Sequence, residues 1–180
     1  MTNQQPYIDP TKNWLNNFVI QLGLCPFAKR PFINEQIEYN VIDAQEKEAQ
    51  LMAFWNAIEK LKQSDAEKIS TTLLILPDQY PNFLDYLNFF ELAESLLMER
   101  GEEESFQLAS FHPQYQFAGT TVNDVSNYTN RSPFPIIHIL RTAEVAEAID
   151  LHQDTAKIPE RNIQLMEDMG LEKVAKLLGI

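Results

Sequence analysis

Three short segments carry the residues able to do chemistry. LGLCPFAKR holds Cys25, the chain's one cysteine, with Lys29 and Arg30 close behind it. FHPQYQF holds His112, followed at once by a proline, and NRSPFPIIHILR holds Arg131, His138 and Arg141. Cations near a thiol lower its pKa, and the thiolate is both the nucleophile and the metal ligand. Free cysteine is also among the most buried residue types, so a small buried hydrophobe is the competing reading of Cys25. The Cys25-Pro26 dipeptide also occurs where thiolate ligates haem, though a lone dipeptide is a weak signal. His112 closes an expected strand where a long loop begins, a usual place for a functional side chain. Imidazole titrates near neutral pH, which makes His112 the candidate general acid or base. His138 sits between Ile137 and Ile139, and alternation puts it on the face of Ile136 and Leu140. There it is either a hydrogen-bonded core residue or a ligand. His152 lies in a polar helical stretch and reads as solvated.

Cys25, His112 and His138 are the candidate metal ligands, of types that suit zinc or iron. No two of them stand at a local ligand spacing, so metal content stays open. Arg offers a planar fork for carboxylate or phosphate, whereas Lys is a solvated point charge. Arg131, Arg30 and Arg141, with Asn130 and Thr120 from the loop GTTVNDVSNYTNRSP, therefore form the candidate set for binding a substrate. The competing use of the same groups is to tie loops down and satisfy their own backbone. GxGxxG, GxxxxGK[ST], GxSxG and HExxH are all absent from the chain. A dinucleotide site, a P-loop and a hydrolase elbow are thus unsupported.

These residues need a scaffold. IEYNVIDA, TTLLILP, FQLASFH and FPIIHILR read as four strands. The unbroken apolar centre of TTLLILP points to burial on both faces. Trp14, Phe18, Val19 and Leu22 recur at helical spacing, giving a first helix over about 10–22 after a loose arm at 1–10. The two prolines of CPFAKRPF argue against a continuous helix there. Helices follow over about 46–62 and from the cap Asn82 to Gly101. The segment 113–133 reads as a loop with at most a short helical turn, and a loop this long inside a compact domain either counts against the element assignment or is functional. AEVAEAID, PERNIQLMEDMG and LEKVAKLLG form a helical C-terminal segment, with Pro159 at a start and Gly170 at a stop. Helices between the first three strands imply crossovers and partly parallel pairing. The expected fold is α/β or α+β: one domain with a four-stranded mixed sheet packed with helices.

The chain has 180 residues, 44% hydrophobic and 22% charged, with a formal net charge of −12. So acidic a surface argues against nucleic acid and against anionic membranes. No apolar run approaches the ~20 residues of a membrane span. One cysteine and a polar N-terminus without signal-peptide order place the protein in the cytoplasm.

NWLNNFVIQLGLCPFAKRPF, FHPQYQFAGTTVNDVSNYTNRSPFPIIHILR and IPERNIQLMEDMG, in this order, resemble the bacterial family catalogued as domain of unknown function 1415. The resemblance spans about Trp14 to Gly170 and implies a single-domain protein of this length. It carries no activity and no catalytic residues. The expected function is a cytosolic enzyme acting on a small anionic or polar molecule, with a pocket gathering the Cys25, His112 and Arg131–Arg141 segments. The alternative is a non-enzymatic module binding metal, haem or a protein partner.

Overall fold

Residues 3–151 and 155–179 are described by the computed structural model. His152 lies outside them. The helices are α1 (Gln5–Trp14), α2 (Lys29–Ile33), α3 (Lys47–Gln63), α4 (Phe83–Glu99), α5 (Thr142–Leu151) and α6 (Ile158–Leu178). The strands are β1 (Ile37–Val41), β2 (Thr71–Ile75), β3 (Phe106–Phe111) and β4 (Ile136–Arg141), all within the segments the alternation marks. β2 is buried at every position, as its apolar centre requires.

The sheet order is β1-β2-β4-β3. β1 and β2 pair in parallel, and β4 runs antiparallel to both its neighbours. α3 crosses from β1 to β2, and α4 from β2 to β3. Crossovers of one hand, taken in one direction along a sheet, lay their helices on one face. That face is the larger core, where Phe54 and Ile58 of α3 and Tyr86 and Phe89 of α4 cover Leu74, Ile137 and Ile139. The opposite face cannot be covered by crossovers. It falls to the N-terminal and C-terminal helices, through Trp14, Phe18, Val19, Met166 and Val174.

One expectation at the N-terminal side needs correction. Residues 5–10 are helical, not a loose arm. Pro6 stands in the first turn, where a missing N–H costs nothing. Tyr7 anchors the turn, edge-on to Phe134 at 5.4 Å and donating its hydroxyl to Asp78 at 3.3 Å. Beyond Trp14 the helix widens into a π-helical stretch, Leu15–Ile20, that keeps Leu15, Phe18 and Val19 buried. CPFAKRPF holds no continuous helix, as its prolines predict; only the short α2 begins within it, at Lys29. Pro31 is tolerated because it falls in the first turn, among donors with no intrahelical partner.

Elsewhere the local signals hold. Asn82 caps α4, its side chain accepting the Leu84 N–H at 2.8 Å. A 3-10 turn, Val125–Thr129, sits inside the long loop. α6 is interrupted at Gly170 (φ 73°, ψ 160°), a left-handed position that glycine adopts freely, so two helical runs meet there as expected.

A candidate site on the partly covered sheet face

Coverage of that second face is incomplete over the ends of β2 and β4. A cavity of about 380 Å³ opens there. Its floor is the sheet, through Ile37, Thr71, Leu73, His138, Leu140 and Phe111. The π-helical stretch and the end of α1 form one wall, the Cys25–Pro31 segment a second, and α5 a third. Such a concave, mainly apolar space with few polar groups is the usual form of a small-molecule site, near the small end of the range.

His138 stands in the middle of β4, opposite Leu73 on β2 and the small Ala109 on β3. Thr71, the diagonal cross-strand neighbour, places its Oγ1 2.6 Å from His138 Nε2. The Thr71 hydroxyl donates its single proton to the Ile139 carbonyl, also at 2.6 Å. Nε2 must therefore carry the proton and donate to Thr71. Nδ1 keeps its lone pair and makes no hydrogen bond to a described residue. The ring is partly accessible only because the cavity opens on it. Burial among apolar walls pushes its pKa down to about 4, so it is neutral at pH 7.

Trp14 lines the same cavity and is 6% exposed. Its Nε1–H is buried without a hydrogen-bond partner. Phe111 lies against both rings, 5.3 Å from Trp14 and 6.3 Å from His138.

Cys25 also lines the cavity. The backbone preceding it is clamped by α6: Asn162 Nδ2 donates to the Leu24 carbonyl at 2.8 Å, and Arg161 donates to the Gly23 carbonyl. Lys29 and Arg30, expected to lower the thiol pKa, do not set it. Burial pushes it up, only partly opposed by the N–H groups of Phe27 and Ala28. The thiol stays protonated near neutral pH.

At the rim stand Arg30, Glu67, Glu144 and Glu147. Glu144 accepts the Ser70 hydroxyl at 2.7 Å. Arg141 touches the cavity, but its guanidinium is spent on the Leu61, Ser64 and Ile69 carbonyls at 2.5–3.3 Å. It binds the C-terminal end of α3, where exposed carbonyls favour a cation.

The expected convergence of Cys25, His112 and Arg131 does not occur. His112 is 1% exposed, on the α4 side of the sheet between Phe83 and Tyr86. Its Nε2–H donates to the Tyr80 carbonyl at 2.9 Å, and Nδ1 accepts the Gln114 N–H at 2.9 Å. Burial lowers its pKa, with the Tyr80 carbonyl opposing. Both nitrogens are committed to holding the turn that opens the long loop. Arg131 lies 4.2 Å over the Tyr128 ring and donates to the Tyr115 and Val122 carbonyls at 3.2 and 2.8 Å. Asn130 Nδ2 donates to the Ser110 carbonyl at 3.2 Å, and Thr120 Oγ1 to the Phe117 carbonyl at 2.8 Å. These groups, read as candidate catalytic and substrate-binding residues, tie their own loop together. The three candidate metal ligands are likewise divided between the two faces. Among the described residues no group of three or more His, Cys, Asp or Glu is placed to hold a metal ion.

Of the sequence candidates, the cavity gathers Cys25, Arg30, His138 and the stem of Arg141. Trp14, Thr71, Glu67, Glu144 and Glu147 join them without having been singled out for chemistry. Trp14 was legible only as a core residue of the first helix, and Thr71 only as the first residue of a strand.

A family model described as "Protein of unknown function (DUF1415)" matches residues 6–176. No curated protein and no solved structure matches the chain. Among the described residues no helix is long and apolar enough to cross a membrane.

Proposed function

The chain belongs to the DUF1415 family, whose description assigns no activity, and from the site itself we propose that it is an enzyme that binds a small, mainly apolar molecule over β2 and β4 and moves a proton on it with His138. One observation carries this reading: a neutral imidazole on the floor of an apolar cavity, its Nε2–H held by Thr71 and its Nδ1 without a hydrogen bond to a described residue. A ligand that donates to Nδ1 gains a hydrogen bond that the empty site lacks.

The proton goes to His138 Nδ1. Nε2 keeps its own proton on Thr71, whose hydroxyl proton is already held by the Ile139 carbonyl. Thr71 is therefore a positioning residue and not a relay. The acquired proton stays on Nδ1 until it returns to product. The anion left on the ligand lies beside the new imidazolium and stabilises it, which offsets the low pKa of the empty site. Cys25, held as a thiol, serves as wall and weak donor rather than as covalent nucleophile. The Glu-rich rim favours a polar head that is not an anion, which narrows the class expected from the sequence. His112 and Arg131 have no role in this site. One reduced cysteine and a net charge of −12 suit a single cytoplasmic domain without nucleic-acid partners.

A ligand-observed NMR screen of small fragments tests the reading. Wild-type protein is compared with Val145→Trp, in which an indole from α5 fills the cavity, and folding is checked by circular dichroism. Hits are expected to vanish in the folded variant, and hits that persist contradict the site. Incubating the hits with protein in D₂O then tests the chemistry. We expect deuterium to enter a carbon-bound position with wild type and not with His138→Gln. Binding without exchange would favour a carrier, a second reading supported by the protonated thiol and neutral imidazole.

A further inference from the structure

Resting on that reading, we infer that α5 is the lid of the cavity, latched shut by the hydrogen bond between Glu144 and Ser70, and that the ligand enters when this helix lifts. α5 turns Glu144, Val145 and Ala148 to the cavity. Their spacing puts all three on one helix face. The face that another helix would pack into a core therefore lies over the cavity. α3 buries Phe54, Ile58 and Leu61, and α4 buries Tyr86, Phe89 and Leu97. None of residues 142–150 is buried, and none belongs to either hydrophobic core. Ile149 is 44% exposed. A helix of ten residues is too short to persist in water on its own propensity and depends on packing. α5 has little of it, which puts the helix at the low end of local stability, where moving elements are found.

The attachments of α5 are uneven. At its start β4 runs straight into the helix, and this junction is held. Arg141 donates to the Leu61, Ser64 and Ile69 carbonyls, and the Thr142 N–H donates to the Ser105 carbonyl at 2.9 Å. Among residues 142–150 one side-chain hydrogen bond reaches outside the helix: the Ser70 hydroxyl donates to Glu144 at 2.7 Å. A held pivot and a single latch let the helix swing about Thr142 without disturbing the sheet. Ser70 immediately precedes Thr71, which accepts from His138 Nε2. The latch thus closes on the strand end that carries the site.

Hydrogen exchange of the whole chain, read by mass spectrometry, tests the lid without a ligand. Amides of α5 are expected to exchange faster than those of α3 and α4. Ser70→Ala lies outside the helix and leaves its propensity untouched. It should speed α5 exchange about tenfold, as for one hydrogen bond to a charged group, and leave α3 and α4 unchanged. Glu144→Ala should act alike, and the double variant no more than either single, because all remove the same bond. Saturating N-phenyl-1-naphthylamine, a neutral apolar probe, should slow α5 exchange in wild type and not in Val145→Trp. Protection of α5 equal to that of α3 and α4, or exchange indifferent to Ser70→Ala, overturns the lid whatever the cavity binds. Probe fluorescence that rises while α5 exchange stays unchanged overturns entry beneath the helix. Probe binding that survives in folded Val145→Trp overturns the cavity reading on which the inference rests, a failure that the Ser70→Ala exchange data keep distinct from failure of the latch.

Discussion

His112 is buried and His138 half-buried, both are neutral near pH 7, and what separates them is the number of ring nitrogens already in use. His112 has both nitrogens on backbone groups and can only hold its turn. His138 has one on Thr71 and one left over, beside a cavity. Alternation along FPIIHILR places His138 on the correct face. Nothing in the string FHPQYQF shows that a carbonyl at Tyr80 and an N–H at Gln114 will meet the other imidazole, since those partners arise from folding. The difference has a pH signature. The folded pKa of His138 is about 4, below the ~6.5 of an unfolded chain. Between these values the unfolded state binds more protons, so stability is full above about pH 6.5 and is lost as pH falls towards 4. The single-site slope approaches about 1.4 kcal/mol per pH unit. His112 contributes in the same direction. Urea denaturation from pH 7 to 4.5 should therefore show a smaller decline for His138→Gln than for wild type, and an unchanged decline would contradict the buried neutral imidazole.

At the scale of elements, the site depends on α6 reaching across to the turn before Cys25. Asn162 is buried, and its amide donates to the Leu24 carbonyl. Asn162→Ala leaves that carbonyl unmet and should cost about 1–3 kcal/mol in denaturant unfolding. The Cys25 thiol, slow to react because burial keeps it protonated, should then be alkylated faster by iodoacetamide. Unchanged stability and unchanged alkylation together would show that α6 does not position this segment. The strands were readable because two-residue alternation and a continuous apolar run are strong local signals. The start of α1, residues 5–9, was not, because Pro6 and Pro10 count against a helix until tertiary contacts at Tyr7 and Ile8 outweigh them. Asn162 was invisible for a related reason: its partner is 138 residues away.

For the whole molecule, topology leaves one face of the sheet to be covered by the chain's two ends. The sequence pattern implied crossovers and a mixed four-stranded sheet, and it did not contain the order β1-β2-β4-β3. With α3 and α4 together on one face, the other is roofed by α1, the π-helical stretch and α6, with α5 at its edge. The gap they leave is the cavity. That is why Cys25, Thr71 and Glu144, far apart in the chain, line one space. The long loop after His112 packs Tyr128 into the core of this face and closes many of its side-chain hydrogen bonds within itself, as at Asn127 and Arg131. Soaking crystals with a fragment collection and solving the complexes tests this account most directly. Density is expected over β2 and β4, against Trp14, Phe111 and His138. Density confined to the loop of Arg131 and Asn130, with the cavity between α5 and the sheet left empty, would contradict it.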